Sequence, residues 1–182
     1  GTDSTIKQAL DNWYNNNLKS YSSYIATGNG ANFCNDRQPS TDSSTINGDG
    51  GTGTTQTYYA PYIRLVTNKV PSLKCTETND KFNTYVGLII ADEVSYAGGV
   101  YEANNSGYYL YTGQYYWTMS PYNFNSIVYN DAWAFNVYSN GSLNYNGMGW
   151  DTPGVRPVIN LKTSTIFNTT GTGTSDNPYI VS

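Results

Sequence analysis

Chemistry in this chain would have to come from 13 Asp and Glu, nine Lys and Arg and two Cys, because it contains no histidine. That removes His-based triads, His metal sites and the commonest general base. Asp92 and Glu93 are adjacent in "ADEVSYAGG". Neighbours on a helix project about 100° apart, so they make a poor acid–base pair, and dipole or capping roles suit them better. An enzyme acting on glycans or peptidoglycan would have to work through these acids or Glu102. No nucleophile elbow, phosphate loop or dinucleotide fingerprint occurs. Cys34 and Cys75 have no other thiol beside them, which is too few for a zinc cluster. They form either two buried thiols or one disulfide, which would contribute roughly 4 kcal/mol by closing a loop of about 40 residues. An exported-looking composition favours the disulfide. Asn47 and Asp49 could ligate Ca²⁺, but the 47–53 loop lacks the full Asp-rich pattern and its terminal Glu, so a solvated turn is expected. No catalytic residue, metal or cofactor is expected.

What the residue types do favour is contact. "SPYNFNSIVYND", Ser120 to Asp131, interleaves Tyr122, Phe124 and Tyr129 with Asn123, Asn125, Asn130 and Asp131. Tyr gives flat contact area at low entropy cost and Asn gives adaptable hydrogen bonds, a mix that resembles a paratope. Phe124, Ile127 and Val128 are expected to anchor this loop. Tyr122, Asn123, Asn125, Tyr129, Asn130 and Asp131 would then be free for a ligand. The polar face of the following hairpin extends the set with Asn136, Tyr138, Asn144 and Asn146, and Trp150 is expected on the rim. Trp117 and Trp133 read as core.

Composition agrees with a contact surface. Charged residues are only 12% of the chain, its net charge is −4, and it has 19 Tyr against 5 Phe. The scattered cations make no basic patch, so nucleic acid is not an expected partner. No apolar run is long enough to span a membrane. The chain begins at Gly1 without Met, which suggests processing or excision, and any signal or anchor is expected outside it.

The elements that would position these residues fit one domain over 1–182. Asp3 and Ser4 are cap candidates for a helix over 5–19, with Ile6, Leu10, Trp13, Tyr14 and Leu18 as its apolar stripe. Residues 26–57 form a long polar excursion pinned by Cys34. "YVGLII" (85–90) reads as a buried strand leading into a short helix over 91–97 stopped by Gly98. "GYYLYTGQYYWTMS" reads as strand and turn around Gly113. In "DAWAFNVYSNGSLNYNG", Trp133, Phe135 and Val137 alternate with Ala134, Asn136 and Tyr138, and Asn140-Gly141 marks a hairpin turn. "GVRPVINL" is an edge or bulged strand because of Pro157, and "NPYIV" closes the chain. Helices first and antiparallel strands afterwards predict an α+β fold.

Four stretches, "ADEVSYAGG", "YWTMSPYNFN", "GVRPVINL" and "GTGTSDNPYIV", together resemble a family of bacterial surface proteins from Gram-positive gut lineages. That family carries a domain of unassigned function and includes pilin-type members. The resemblance runs from Thr5 to Val181, with "NDR" after Cys34 and "PSLKC" before Cys75. "GLIIADEVSYAGG" and "GVRPV" are also similar to segments of formylglycine-generating-enzyme-like domains. This second resemblance implies a C-type-lectin-like fold, two helices beside a twisted antiparallel sheet with long loops, as in the variable proteins of diversity-generating retroelements. No cysteine follows Cys75, so oxidase chemistry is not implied. "YND" at Tyr129 to Asp131 has no Glu-Pro-Asn partner, so a Ca²⁺-dependent sugar site is not implied either.

The expected function is a non-catalytic ligand-binding domain of an exported cell-surface protein, an adhesin or receptor for a protein or glycan. Adenine-directed diversification over 117–156 is part of that expectation. A structural pilus or surface-layer subunit is the alternative.

Overall fold

A computed structural model describes residues 3–28, 32–40, 56–75, 80–125, 131–148, 152–165, 167–168, 170–174 and 176–181, without the side chains of Asn125, Phe167 and Asn168. The fold is α+β with antiparallel sheets. Helix α1 is Thr5–Asn17, capped by Ser4, whose Oγ accepts the Lys7 N–H at 3.2 Å. A cap of this kind satisfies an N–H that has no partner inside the helix. Leu10 and Tyr14 are buried, while Trp13 stays 39% exposed because it lies at the side of the narrow 6-10-14-18 line. The helix ends at Asn17, two residues before the expected 19, where a run of Asn weakens helix propensity.

A helical segment that the sequence reading missed lies between. Helix α2, Ala60–Tyr62, starts on Pro61 and runs on as a π-helical stretch, Ile63–Asn68, that ends on left-handed Lys69. Pro in the first turn is the signal that could have found it. Helix α3, Ala91–Ala97, lies where expected and stops at Gly98, φ +118°. Its first free N–H groups are met by side chains. Glu93 accepts the Ile90 N–H at 3.0 Å and Ser120 Oγ accepts the Ala91 N–H at 2.9 Å.

Strands β1 (Phe33–Cys34) and β3 (Lys81–Phe82) pair with each other. The main sheet has the order β2-β4-β5-β6, with β2 Thr57–Tyr58, β4 Tyr116–Asn125, β5 Asp131–Val137 and β6 Leu143–Gly147. Strands β5 and β6 form the expected hairpin, and at Gly141 (φ +81°) a Cβ would sit 1.7 Å from the Asn105 carbonyl oxygen, so only glycine fits. Strand β4 carries two register shifts around Pro121, which has no N–H to give to the ladder. A last pair, β7 (Phe167–Asn168) and β8 (Ile180–Val181), includes the expected closing strand.

Two expected strands are not regular ones. In "YVGLII", Val86 and Leu88 are buried, but the segment makes a single bridge, Gly87 to Val158. "GVRPVINL" likewise contributes bridges at Gly154, Val158 and Leu161 instead of a ladder. Pro157 interrupts its donors, as the edge-or-bulge reading anticipated. Gly113 is a left-handed bend, φ +68°, and the strand after it starts at Tyr116.

Both faces of the main sheet are covered. Tyr116, Tyr122, Phe135, Val137 and Leu143 pack with Leu65, Ala91 and Val94 on one side. Trp117 and Ala134 pack with Leu10, Tyr14, Ile25, Val86 and Leu88 on the other. Cys34 and Cys75 form the disulfide. Beside it, buried Asp36 and buried Asp92 share the Arg64 guanidinium, Asp92 through contacts of 2.9 and 2.8 Å. Asp92 Oδ1 also accepts the Ser72 N–H at 2.7 Å. Asp92 is thus a buried tie between α2 and α3, and the dipole and capping roles expected of it fall to Glu93 alone.

Candidate functional site

The α1 side of the sheet does not close completely. Between the first turns of α1, the extended segment 86–88 and strands β4 and β5 lies a cleft of about 510 Å³, inside the roughly 300–1,000 Å³ range of small-ligand pockets. Its walls are mainly apolar and aromatic, including Trp117, Trp133, Phe82, Tyr59 and Met119. It exists because strands that carry large rings on the other face carry Pro121, Ala132 and Ala134 here. Small side chains leave room that α1 alone does not fill.

Asn123 lies at the back of this cleft, only 3% exposed, and its Oδ1 has no hydrogen-bond partner among the described residues. A buried amide oxygen left unpaired costs about 1–3 kcal/mol, so its presence calls for a donor. Three of the other polar groups on the described walls are committed to the fold. Ser4 Oγ accepts from Lys7, Thr118 Oγ1 donates to the Phe135 carbonyl at 2.8 Å, and the Lys7 ammonium pairs with Asp11. Arg37 is exposed on the lining and makes no ion pair among the described residues. Burial raises the Tyr59 hydroxyl pKa, and the positive charge of Arg37 partly opposes that rise.

Among the described residues, Asn123 alone of those expected to bind lines this cleft. Tyr122 is a correction. It is 6% exposed, stacks on Tyr145 with centroids 3.9 Å apart and meets Phe135 edge-on at 5.1 Å. Its hydroxyl lies 3.2 Å from that of Tyr101, and burial, then this hydrogen bond, pushes the Tyr122 pKa far above the usual tyrosine value. Strand β4 runs on past Pro121 with its alternation kept, so Tyr122 shares the core face of Tyr116. Asn136 is a second correction, fully buried where a wet face was expected, with Nδ2 donating to Tyr115 Oη at 3.2 Å. Asn146 donates to the same oxygen and Tyr138 meets the Tyr115 ring edge-on at 5.1 Å. Asn136, Tyr138 and Asn146 are thus brought together around Tyr115 as a structural polar cluster. Asn144 is half-buried and its Oδ1 accepts the Tyr145 N–H. Asp131 is half-buried at the start of β5, its Oδ2 unpartnered among the described residues.

The side chain of Asn125, all of Tyr129, Asn130 and Trp150, the loop anchors Ile127 and Val128, and the 47–53 segment lie outside the described residues. Trp117 is core as expected, whereas Trp133 is half-buried and reaches the cleft wall. Sequence reading missed the cleft's other half, supplied by α1 and 86–88. Neither segment carries a polar motif that would have marked it.

No protein-family model, curated protein or solved structure matches this chain. The cleft and its chemistry therefore carry the functional reading. Among the described residues no group of three or more Cys, Asp or Glu is placed to hold a metal ion. The arrangement offers shape, aromatic surface, one buried acceptor and one unpaired cation.

Proposed function

We propose that this chain is a non-catalytic ligand-binding domain of an exported bacterial surface protein, built on a C-type-lectin-like scaffold, with its ligand seated between α1 and the main sheet. The observation that carries the reading is the aromatic-walled cleft lined by buried Asn123, whose amide oxygen has no partner among the described residues. Concave, mostly apolar sites with a few converging polar groups are the usual form of a binding site. The Cys34–Cys75 disulfide supports an oxidising, extracellular setting. Two of the three acids on which an enzyme reading would rest are engaged elsewhere: Asp92 is tied to Arg64, and Glu93 caps α3.

Retroelement diversification belongs to the same proposal in narrower form. Buried Tyr122 and Asn136 are poor positions to vary, so variation would fall on cleft-lining and loop positions of 117–156. The test of the main reading is a protein and glycan array probed with the isolated domain and with Ala132→Trp. Ala132 is exposed on the cleft lining, so a Trp there fills the site without entering the core. Wild-type binding that disappears in Ala132→Trp, with an unchanged melting temperature, is expected. Binding that survives the blocked cleft would overturn the proposal.

A further inference from the structure

The kind of ligand can be narrowed from the number and type of uncommitted groups on the walls. Sugars carry a hydroxyl on nearly every ring carbon, and each buried hydroxyl needs a partner. With Ser4, Thr118 and Lys7 engaged within the fold, Asn123, Arg37, Asn35, Tyr59 and Asp3 are the polar groups left on the described lining, few beside its apolar area. A glycan would leave most of its polar groups unpaired against Trp117, Phe82, Met119 and Leu88. A large apolar side chain would not.

Charge narrows it further. Among the described residues, Asp3, Lys7 and Arg37 are the charged ones on the lining. Asp3 adjoins the Ser4 cap, where the N-terminal end of α1 favours a negative charge. Lys7 is neutralised by Asp11. Arg37 is left as a cation without a carboxylate among the described residues, in a chain whose net charge is −4. Guanidinium groups hold carboxylates well, through paired N–H donors.

Given that the cleft is the binding site, as proposed above, we infer that its ligand is a short acidic peptide segment. A large apolar side chain lies against the wall formed by Trp117, Phe82 and Met119. A neighbouring backbone N–H donates to Asn123 Oδ1, and an adjacent Asp or Glu carboxylate reaches Arg37. The apolar anchor supplies most of the contact, and the other two groups supply selectivity.

The test is a positional-scanning library of N-acetylated, C-amidated hexapeptides, read on the wild type and on Ala132→Trp, Asn123→Leu and Arg37→Glu, with the glycan array in parallel. The expected result is enrichment of a large apolar residue within one or two positions of Asp or Glu. Asn123→Leu lowers affinity about tenfold, the loss expected when one buried hydrogen bond goes, with no fall in melting temperature. Arg37→Glu moves the preference from Asp and Glu to Lys and Arg. Three results would overturn the inference. Peptides that Ala132→Trp excludes but that show no acidic preference would do so, as would a preference unmoved by Arg37→Glu. Glycan binding lost in Ala132→Trp, with no peptide bound, would remove the peptide and leave the cleft. Binding of neither class, or binding indifferent to Ala132→Trp, would remove both.

Discussion

The two faces of the main sheet are built from the same strands and end in opposite ways. On the α3 face, Tyr122, Tyr145, Tyr101, Phe135 and Trp133 stack ring upon ring, and Tyr58 and Tyr62 close the group from β2 and α2. On the α1 face the matching positions are Pro121, Asn123, Ala132 and Ala134, and a cleft remains. The difference teaches that tyrosine abundance is a poor guide to where this protein touches a partner. Here many tyrosines build core; the Tyr108 hydroxyl donates to the Gly141 carbonyl at 3.0 Å, and those of Tyr101 and Tyr122 meet each other. Room for a ligand comes from small residues and a single Asn.

The comparison can be broken most severely from the filled face. Tyr122→Ala should cost about 3–5 kcal/mol, the range for removing a buried large aromatic, measured by urea unfolding. A loss under about 0.5 kcal/mol, typical of a surface change, would mean that the ring is a contact residue after all. Alkaline pH attacks the same face next. Burial raises Tyr122, Tyr101 and Tyr108 from an ordinary pKa of 10.0, Tyr108 to about 12. The unfolded chain therefore ionises first. The stability these rings contribute is intact below pH 10 and is lost as pH rises toward 12 and beyond. Unfolding free energies that stay flat from pH 9 to 12 would show the hydroxyls to be wet.

The open face should respond in the other direction. Asn123→Leu replaces an unpaired buried amide with an apolar group of similar shape, so stability should rise by about 1–2 kcal/mol while ligand binding falls. Destabilisation in the same urea series would mean that Asn123 is already satisfied within the fold. The smallest effect on stability is expected for Ala132→Trp, within about 0.5 kcal/mol for an exposed position, even though it should abolish binding.

Much of the architecture was legible because local signals carried it. The Ser4 cap and the 6-10-14-18 spacing gave α1, Gly98 gave the end of α3, and Asn140-Gly141 gave the β5–β6 hairpin. The disulfide was legible from an exported-looking composition and the count of two Cys. Alternation also correctly separated Phe135 and Val137 from Ala134 and Asn136. What it could not say is that α1 and the polar Tyr115 cluster would cover the second face, so Asn136 was read as wet. Tyr122 was misread for another reason: the stretch from Tyr122 was read as a loop, whereas β4 runs to Asn125 and its alternation, Tyr116 and Tyr122 on one face and Trp117 and Asn123 on the other, continues past Pro121. Half of the cleft was illegible because it depends on segments more than a hundred residues apart, α1 and β5, meeting across a sheet.

The most direct test of the central claim is an NMR titration of the isolated domain with the best peptide from the library. The Asn123 side-chain amide and the Ala132 backbone N–H should shift with the ligand. The Asn105 amide, which donates to the Gly98 carbonyl at 2.8 Å on the far side of the sheet, should stay still. Shifts confined to Tyr62, Tyr101 and Tyr145, with the Asn123 amide unmoved, would contradict the account and return the binding surface to the tyrosines.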